Sequence, residues 1–208
     1  MKVLLLNGSP HTKGCTYVAL NEVQNTLHEE GIETELIQVG AKDIRGCVSC
    51  HRCDQIGKCT FDDIVNEIAE KFEAADGIVV GSPVYYGSPN GTLTNLLDRL
   101  FYSTRFDKTM KVGAAVVSCR RSGNTSSFDV LNKYFSISSM PIVTSQYWNN
   151  IHGFSAEDAL KDLEGLQTMR TLGRNMAFLL KGIALAKAQY GLPQSEEKHL
   201  FTSFPDGL

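Results

Sequence analysis

The 208-residue chain carries a net charge of −3, with 42% apolar and 21% charged residues. That balance suits a single α/β domain with a tail and a substantial buried core, and it argues against disorder. It offers no basic footprint for nucleic acid, and no apolar run approaches the ~20 residues that cross a bilayer.

In chain order, Lys2–Asn7 reads as a buried strand built on the apolar run Val3-Leu4-Leu5-Leu6. It runs directly into Gly8-Ser9-Pro10-His11-Thr12-Lys13-Gly14-Cys15-Thr16. A helix from about Gly14 to Glu30 follows, with Val18, Leu20, Val23 and Leu27 as its buried stripe and Gly31 as its stop. The loop gathers the hydroxyls of Ser9 and Thr16, the cation of Lys13 and the free amides of a helix N-terminus, while Gly8 and Gly14 let the backbone come close. Such a set suits a phosphate group. A plain strand–turn–helix with a Ser/Thr cap is the other reading of the motif by itself.

Thr34–Val39 is the second expected strand, and a cysteine-rich segment fills Ile44–Thr60. Asp62 or Asp63 then caps a helix through Ala75. The third strand is expected at Gly77–Gly81, with a loop over Ser82–Pro89 and a helix over Gly91–Tyr102. Lys111–Ser118 is the fourth strand, Thr125–Ser138 a helix, and Pro141–Thr144 the start of a fifth strand. Ala156–Lys187 is helical in pattern, with Gly165, Gly173 and Gly182 as places to bend or break, and an ordered or semi-ordered tail follows from Pro193. The domain division is thus 1–150, carrying the sheet, and 151–208, a helical extension packed on it or lying in an oligomer interface.

This alternation predicts a doubly wound, flavodoxin-like five-stranded parallel sheet in the order 2-1-3-4-5, with helices on both faces. The crevice of such a sheet opens at the C-terminal ends of strands one and three. The second unusual loop, Gly81-Ser82-Pro83-Val84-Tyr85-Tyr86-Gly87-Ser88-Pro89, lies at that same place. Two prolines stiffen it, Gly87 permits unusual dihedrals and two tyrosines supply flat apolar surface. A flavin ring needs such a slot plus backbone donors; an ordinary loop with surface tyrosines is the alternative.

Gly8-Ser9-Pro10 with Gly14-Cys15-Thr16, then Gly81 to Tyr86, then Leu97-Asp98-Arg99, resembles the NAD(P)H-dependent FMN reductases of the flavodoxin-like superfamily over about residues 1–145. That family commonly has Arg where His11 stands and Asn where Cys15 stands. The resemblance implies FMN, with its phosphate at Ser9, Lys13, Gly14, Cys15 and Thr16. Its ring would lie against Pro83, Val84, Tyr85, Tyr86, Gly87 and Ser88. A third contact would come from Ser118, Arg120, Arg121 and Gly123 after the fourth strand. The Arg120-Arg121 pair reads either as an anion contact or as a solvated charge pair opening a helix. Also implied are a nicotinamide co-substrate, NADH or NADPH, a small acceptor such as a quinone or flavin, and a homodimer or homotetramer with the Asn90–Arg99 region at its boundary. No side-chain acid or base is demanded, because flavin N5 takes the hydride.

Cys47-x2-Cys50-x2-Cys53-x5-Cys59 is a compact run, nearer to iron–sulfur spacing than to the two separated pairs of structural zinc. Arg45, Arg52 and Lys58 would offset clustered thiolates. The spacing resembles the iron–sulfur flavoproteins, which share the same domain. By position the resemblance makes these cysteines the ligands of a 4Fe-4S cluster exchanging electrons with FMN and ferredoxin. A set of free, redox-active thiols beside the flavin is the other reading, and His51 reads as a ligand or a solvated loop residue. Cys15, opening a helix, is expected to have a lowered thiol pKa, and Cys119 to pack at a strand end. The residues Gln146 to Asn150 and His152 either line a pocket or pack around Trp148. The function expected is that of a cytoplasmic FMN-binding oxidoreductase. An iron–sulfur flavoprotein serving ferredoxin and a non-catalytic flavodoxin-like binding module are its alternatives.

Overall fold

Strand β1 (Lys2–Asn7) is buried from Val3 to Asn7, the pattern of a central parallel strand covered on both faces. It pairs in parallel with β2 (Glu33–Gln38) on one side and β3 (Gly77–Tyr85) on the other. These pairings come from a computed structural model that describes residues 1–193 together with Glu197, Leu200 and Thr202. The two-residue β4 (Ser88–Pro89) folds back antiparallel on β3, whose other neighbour is β5 (Val112–Cys119). Beyond β5 lies β6 (Asn150–His152), so the parallel path runs β2-β1-β3-β5-β6. The flavodoxin-like order is therefore present, with the β4 arm added to it.

Alternation within the strands divides the core between two layers. Val3, Leu5, Val79 and Val116 face α1 (Cys15–Glu29) and α7 (Leu163–Tyr190). Leu4, Leu6, Ile78, Val80 and Val117 face α3 (Ile64–Ala74), α4 (Gly91–Ser103) and α5 (Asn124–Ser136). Asp63 settles the capping choice, its side chain accepting from Val65 N at 3.0 Å. Two four-residue helices complete the chain, Cys53–Ile56 in the cysteine segment and Ala156–Ala159 after β6.

Three expectations are corrected. The region after Gly81 is not a loop: Ser82 and Pro83 pair with Val117 and Ser118, and the chain then turns through Tyr86 and Gly87 at φ 50° and 77°. Two successive positive φ values make the two-residue hairpin turn whose twist matches its strands. The fifth strand does not begin at Pro141. Ile142 makes an isolated bridge to Gly113, Pro141 has no N–H to give, and Asn149 Nδ2 occupies the Ala115 carbonyl at 3.0 Å before β6 starts. Helix α7 also runs unbroken through its glycines. The break comes ahead of it, where Asp162 caps Gly165 N at 2.9 Å. Gly173 is instead a contact point, since a Cβ there would stand 2.7 Å from Thr26 Cβ of α1. The tail expected after Pro193 lies almost wholly outside the described residues. Among those residues no helix is long and apolar enough to cross a membrane.

Candidate functional site

Parallel strands deliver their C-terminal loops to one edge of the sheet, and the two unusual loops meet there. A cavity of about 770 Å³ is lined by Ser9 to Thr16, by Pro83, Val84 and Tyr85, and by Ser118, Cys119 and Arg120. Its size is that of small-molecule and cofactor sites. Its remaining wall, Gly153 to Glu157, comes from the turn after β6 and the first residues of the short helix Ala156–Ala159.

The floor is held by polar bonds made at strand ends. Asn7 Oδ1 accepts from Ser9 N at 3.1 Å, and Ser9 Oγ accepts from His11 N at 3.1 Å. Gln38 joins the same set, its amide accepting from Asn7 Nδ2 at 2.7 Å and donating to the Ser9 carbonyl. Asn90, capping α4, donates to the Gly8 carbonyl at 2.6 Å and so ties the first loop to the hairpin. Gly40 is required for this packing, because a Cβ there would lie 2.2 Å from Gly8 O.

Above that floor, α1 begins at Gly14 with no side-chain cap and no acidic residue in its first turn. Its leading amides and dipole are left for an anion. Lys13 and Arg120 line the cavity and form no ion pair among the described residues. The buried hydroxyls of Thr16 and Ser118 stand 2.8 Å apart, joining α1 to β5. Open amides, a fixed serine and unpaired cations fit a phosphate; Pro83, Val84 and half-exposed Tyr85 present the flatter wall.

Not every expected residue faces this space. Tyr86 is fully exposed at the hairpin tip, and Gly87, Ser88, Arg121 and Gly123 lie off the cavity wall. Gly123 supports the hairpin from behind, its φ of +83° leaving no room for a Cβ beside Gly87 and Val84. Ser126 Oγ donates to the Gly87 carbonyl at 2.7 Å from the same helix. The lowered pKa expected for Cys15 is reversed. Burial pushes the thiol up, Asp158 and Glu157 add to that against its own backbone hydrogen bond, and Sγ donates to Ser155 O at 3.1 Å. Asn7, Gln38, Asn90 and Gly153–Glu157 were not expected at the site. Asn90 has a readable signal, a capping residue after Pro89, and Ser155 opens a capping box with Asp158; Asn7 and Gln38 belong to no recognisable motif.

Cys47, Cys50, Cys53 and Cys59 all border a second, small pocket with Phe61, Arg99 and Tyr102. Positive φ at Ser49 and His51, 50° and 56°, folds this loop back on itself. Cys47 and Cys50 are exposed, and Cys53 is buried on its short helix, where desolvation and Asp54 raise its pKa. Among the described residues no three His, Cys, Asp or Glu side chains converge at metal-ligand spacing. The donor set of four free thiols around one pocket nevertheless has the chemistry of an iron–sulfur site. Arg105 acts on Cys53, and Arg99, 1% exposed, is set directly against another of them, its Nε donating to Cys59 Sγ at 3.3 Å. Its burial opposes the charge, but the bonds to Asp63 and Cys59 outweigh it and hold the guanidinium above its ordinary pKa.

Residues 1–154 match the family model described as NADPH-dependent FMN reductase. The chain is 37% identical to an iron-sulfur flavoprotein of Methanocaldococcus jannaschii, over 87% of this chain and 98% of that one. It is 29% identical to an iron-sulfur flavoprotein of Methanosarcina thermophila, over 87% and 96%. Among solved structures it resembles an NAD(P)H:quinone oxidoreductase of Methanothermobacter marburgensis, with a TM-score of 0.66, 20% identity and coverage of 85% and 96%.

Proposed function

The chain belongs to the NADPH-dependent FMN reductase family, and from that premise we propose that it is an FMN-binding electron-transfer oxidoreductase whose cysteine loop carries a 4Fe-4S cluster. The observation that carries the flavin reading is the meeting of residues 9–16 and 83–85 in one cavity over an uncapped helix N-terminus. Ser9, Lys13 and the first amides of α1 are the groups that would hold the phosphate, with Arg120 as a further cation. Pro83, Val84 and Tyr85 would bear on the ring. When bound, FMN supplies the one- and two-electron chemistry that no side chain here provides. The protein's part is to orient and to keep charge balanced. Burial and its bond to the Ser155 carbonyl favour the protonated form of Cys15, and Tyr85 presents a half-exposed ring at the cavity wall.

The cluster reading is supported by the four thiols around one pocket and by the 37% identity to an iron-sulfur flavoprotein along nearly its whole length. It makes a ferredoxin-type protein the electron partner. The second reading is an FMN reductase fed by NADH or NADPH, its cysteines free and a quinone or flavin as acceptor. The match of residues 1–154 to the NADPH-dependent FMN reductase model favours it. Anaerobic purification with flavin, iron and sulfide analysis separates the two. The proposal expects about one FMN and about four irons per chain; FMN without iron, with nicotinamide oxidised at a steady rate, establishes the second reading. Protein that takes up no FMN removes both.

A further inference from the structure

Arg99 is the largest fully buried side chain among the described residues, and its donors go to the cysteine segment and to the start of α3 that follows it. Nε donates to Cys59 Sγ at 3.3 Å. Nη1 donates to Asp63 Oδ2 at 2.7 Å and to the Arg45 carbonyl at 3.2 Å, and Nη2 to Asp63 Oδ1 at 2.9 Å and the Phe61 carbonyl at 3.4 Å. Five N–H groups thus meet five acceptors, a match the three donors of a lysine cannot make. Cys59 is held from its backbone as well, where Asn66 of α3 accepts from its N–H and donates to its carbonyl, both at 3.1 Å. Cys47 and Cys50 are exposed, and no guanidinium reaches them. The Cys59 thiol is thus tied to α4 and its backbone to α3, while the exposed pair has no such helical partner.

We propose that Arg99 is a positioning residue for the iron–sulfur site: it fixes Cys59 as the anchored ligand and, through its N–H···S bond, raises the reduction potential of the centre that Cys59 joins. The assignment rests on the cluster reading above. Reduction adds one electron to the centre and makes its sulfurs more negative. A donor on sulfur therefore favours the reduced form. The guanidinium keeps its protons throughout, and the electron comes from the external reductant.

The test is a dithionite titration of anaerobic protein followed by EPR. Arg99→Lys keeps the charge and loses the Nε bond. It is expected to retain iron and to shift the reduced-to-oxidised equilibrium roughly tenfold towards oxidised, about 59 mV more negative for one electron. Asp63→Asn is the control for a merely structural role, since it weakens the same anchor without touching Cys59. It is expected to melt earlier with no negative shift in potential. An unmoved midpoint in iron-loaded Arg99→Lys, or an equal negative shift in Asp63→Asn, overturns the assignment. Wild-type protein without iron overturns the cluster reading and the assignment together. Should Arg99→Lys not fold, pulsed EPR of wild-type protein labelled with ¹⁵N-arginine decides: a guanidinium nitrogen coupled to the reduced centre supports the proposal, and its absence overturns it.

Discussion

Single residues here are constrained by close approach more than by chemistry. Gly40 is the sharpest case: an added methyl would meet Gly8 O at 2.2 Å and Ser9 C at 2.3 Å, both backbone. Gly40→Ala must push the first loop off its floor, at about 1–3 kcal/mol, and is expected to weaken FMN binding at least tenfold. Fluorescence quenching of added FMN measures this; unchanged affinity would mean the loop position does not matter. Glu35, on β2 and off the cavity wall, makes a pH-dependent case. Lys2 and Lys71 donate to it at 2.7 and 2.6 Å, and those bonds hold its carboxyl below the ordinary value of 4.5 against a smaller effect of burial. A depressed carboxyl stabilises the fold above its ordinary range, and the contribution is lost as pH falls through its lower native value. Glu35→Gln is therefore expected to cost about 0.5–1 kcal/mol at neutral pH and nothing once the carboxyl is protonated in both states. Urea melts at neutral and strongly acidic pH make the comparison.

At the scale of elements, the hairpin Val84–Pro89 forms one cavity wall and leans on Gly123 at the start of α5. A Cβ at position 123 would stand 2.8 Å from both Gly87 Cα and Val84 Cγ1, at a φ that non-glycine residues rarely take. Gly123→Ala is expected to displace the hairpin and lower flavin affinity several-fold while the helices keep their circular-dichroism signal; loss of helix and affinity together would refute that local effect. This hairpin also marks how far the sequence could be read. Hydrophobic runs such as Val3–Leu6 announced the central strands because burial on both faces leaves a continuous apolar signature. Gly87 signals unusual dihedrals, but the two prolines that stiffen Ser82–Pro89 make the stretch look like a loop rather than a strand and hairpin. In the fold Pro83 sits at the extended end of β3, paired with Ser118. The fifth strand was misplaced for a related reason: Ile142 and Val143 look strand-like, yet the edge is completed by Asn150–His152, chosen by a side-chain bond from Asn149 that no local pattern announces. The same blindness hid Gly153–Glu157, which reach the cavity only through that crossing.

Across the whole molecule, parallel order places the loops after β1, β3, β5 and β6 on one edge, so the site is assembled by topology rather than by any one segment. Lys13, Arg120 and the uncapped start of α1 gather on one side of that edge, with Glu157 on the wall after β6. An anionic ligand that binds there should stabilise the entire fold through linkage. At about 100 times its dissociation constant, FMN is expected to add about 2.7 kcal/mol, or roughly 5–10 °C in Tm for a chain of this size. Riboflavin has the same ring without the phosphate, so it offers the wall of Pro83, Val84 and Tyr85 its full contact and the α1 terminus none. If the anion site is the main anchor, riboflavin at the same concentration gives less than half the FMN shift. Ser9→Ala with Lys13→Ala then brings the FMN shift down to the riboflavin value. Equal shifts from the two ligands would move the anchor to the hairpin wall and leave the α1 terminus without a role in binding.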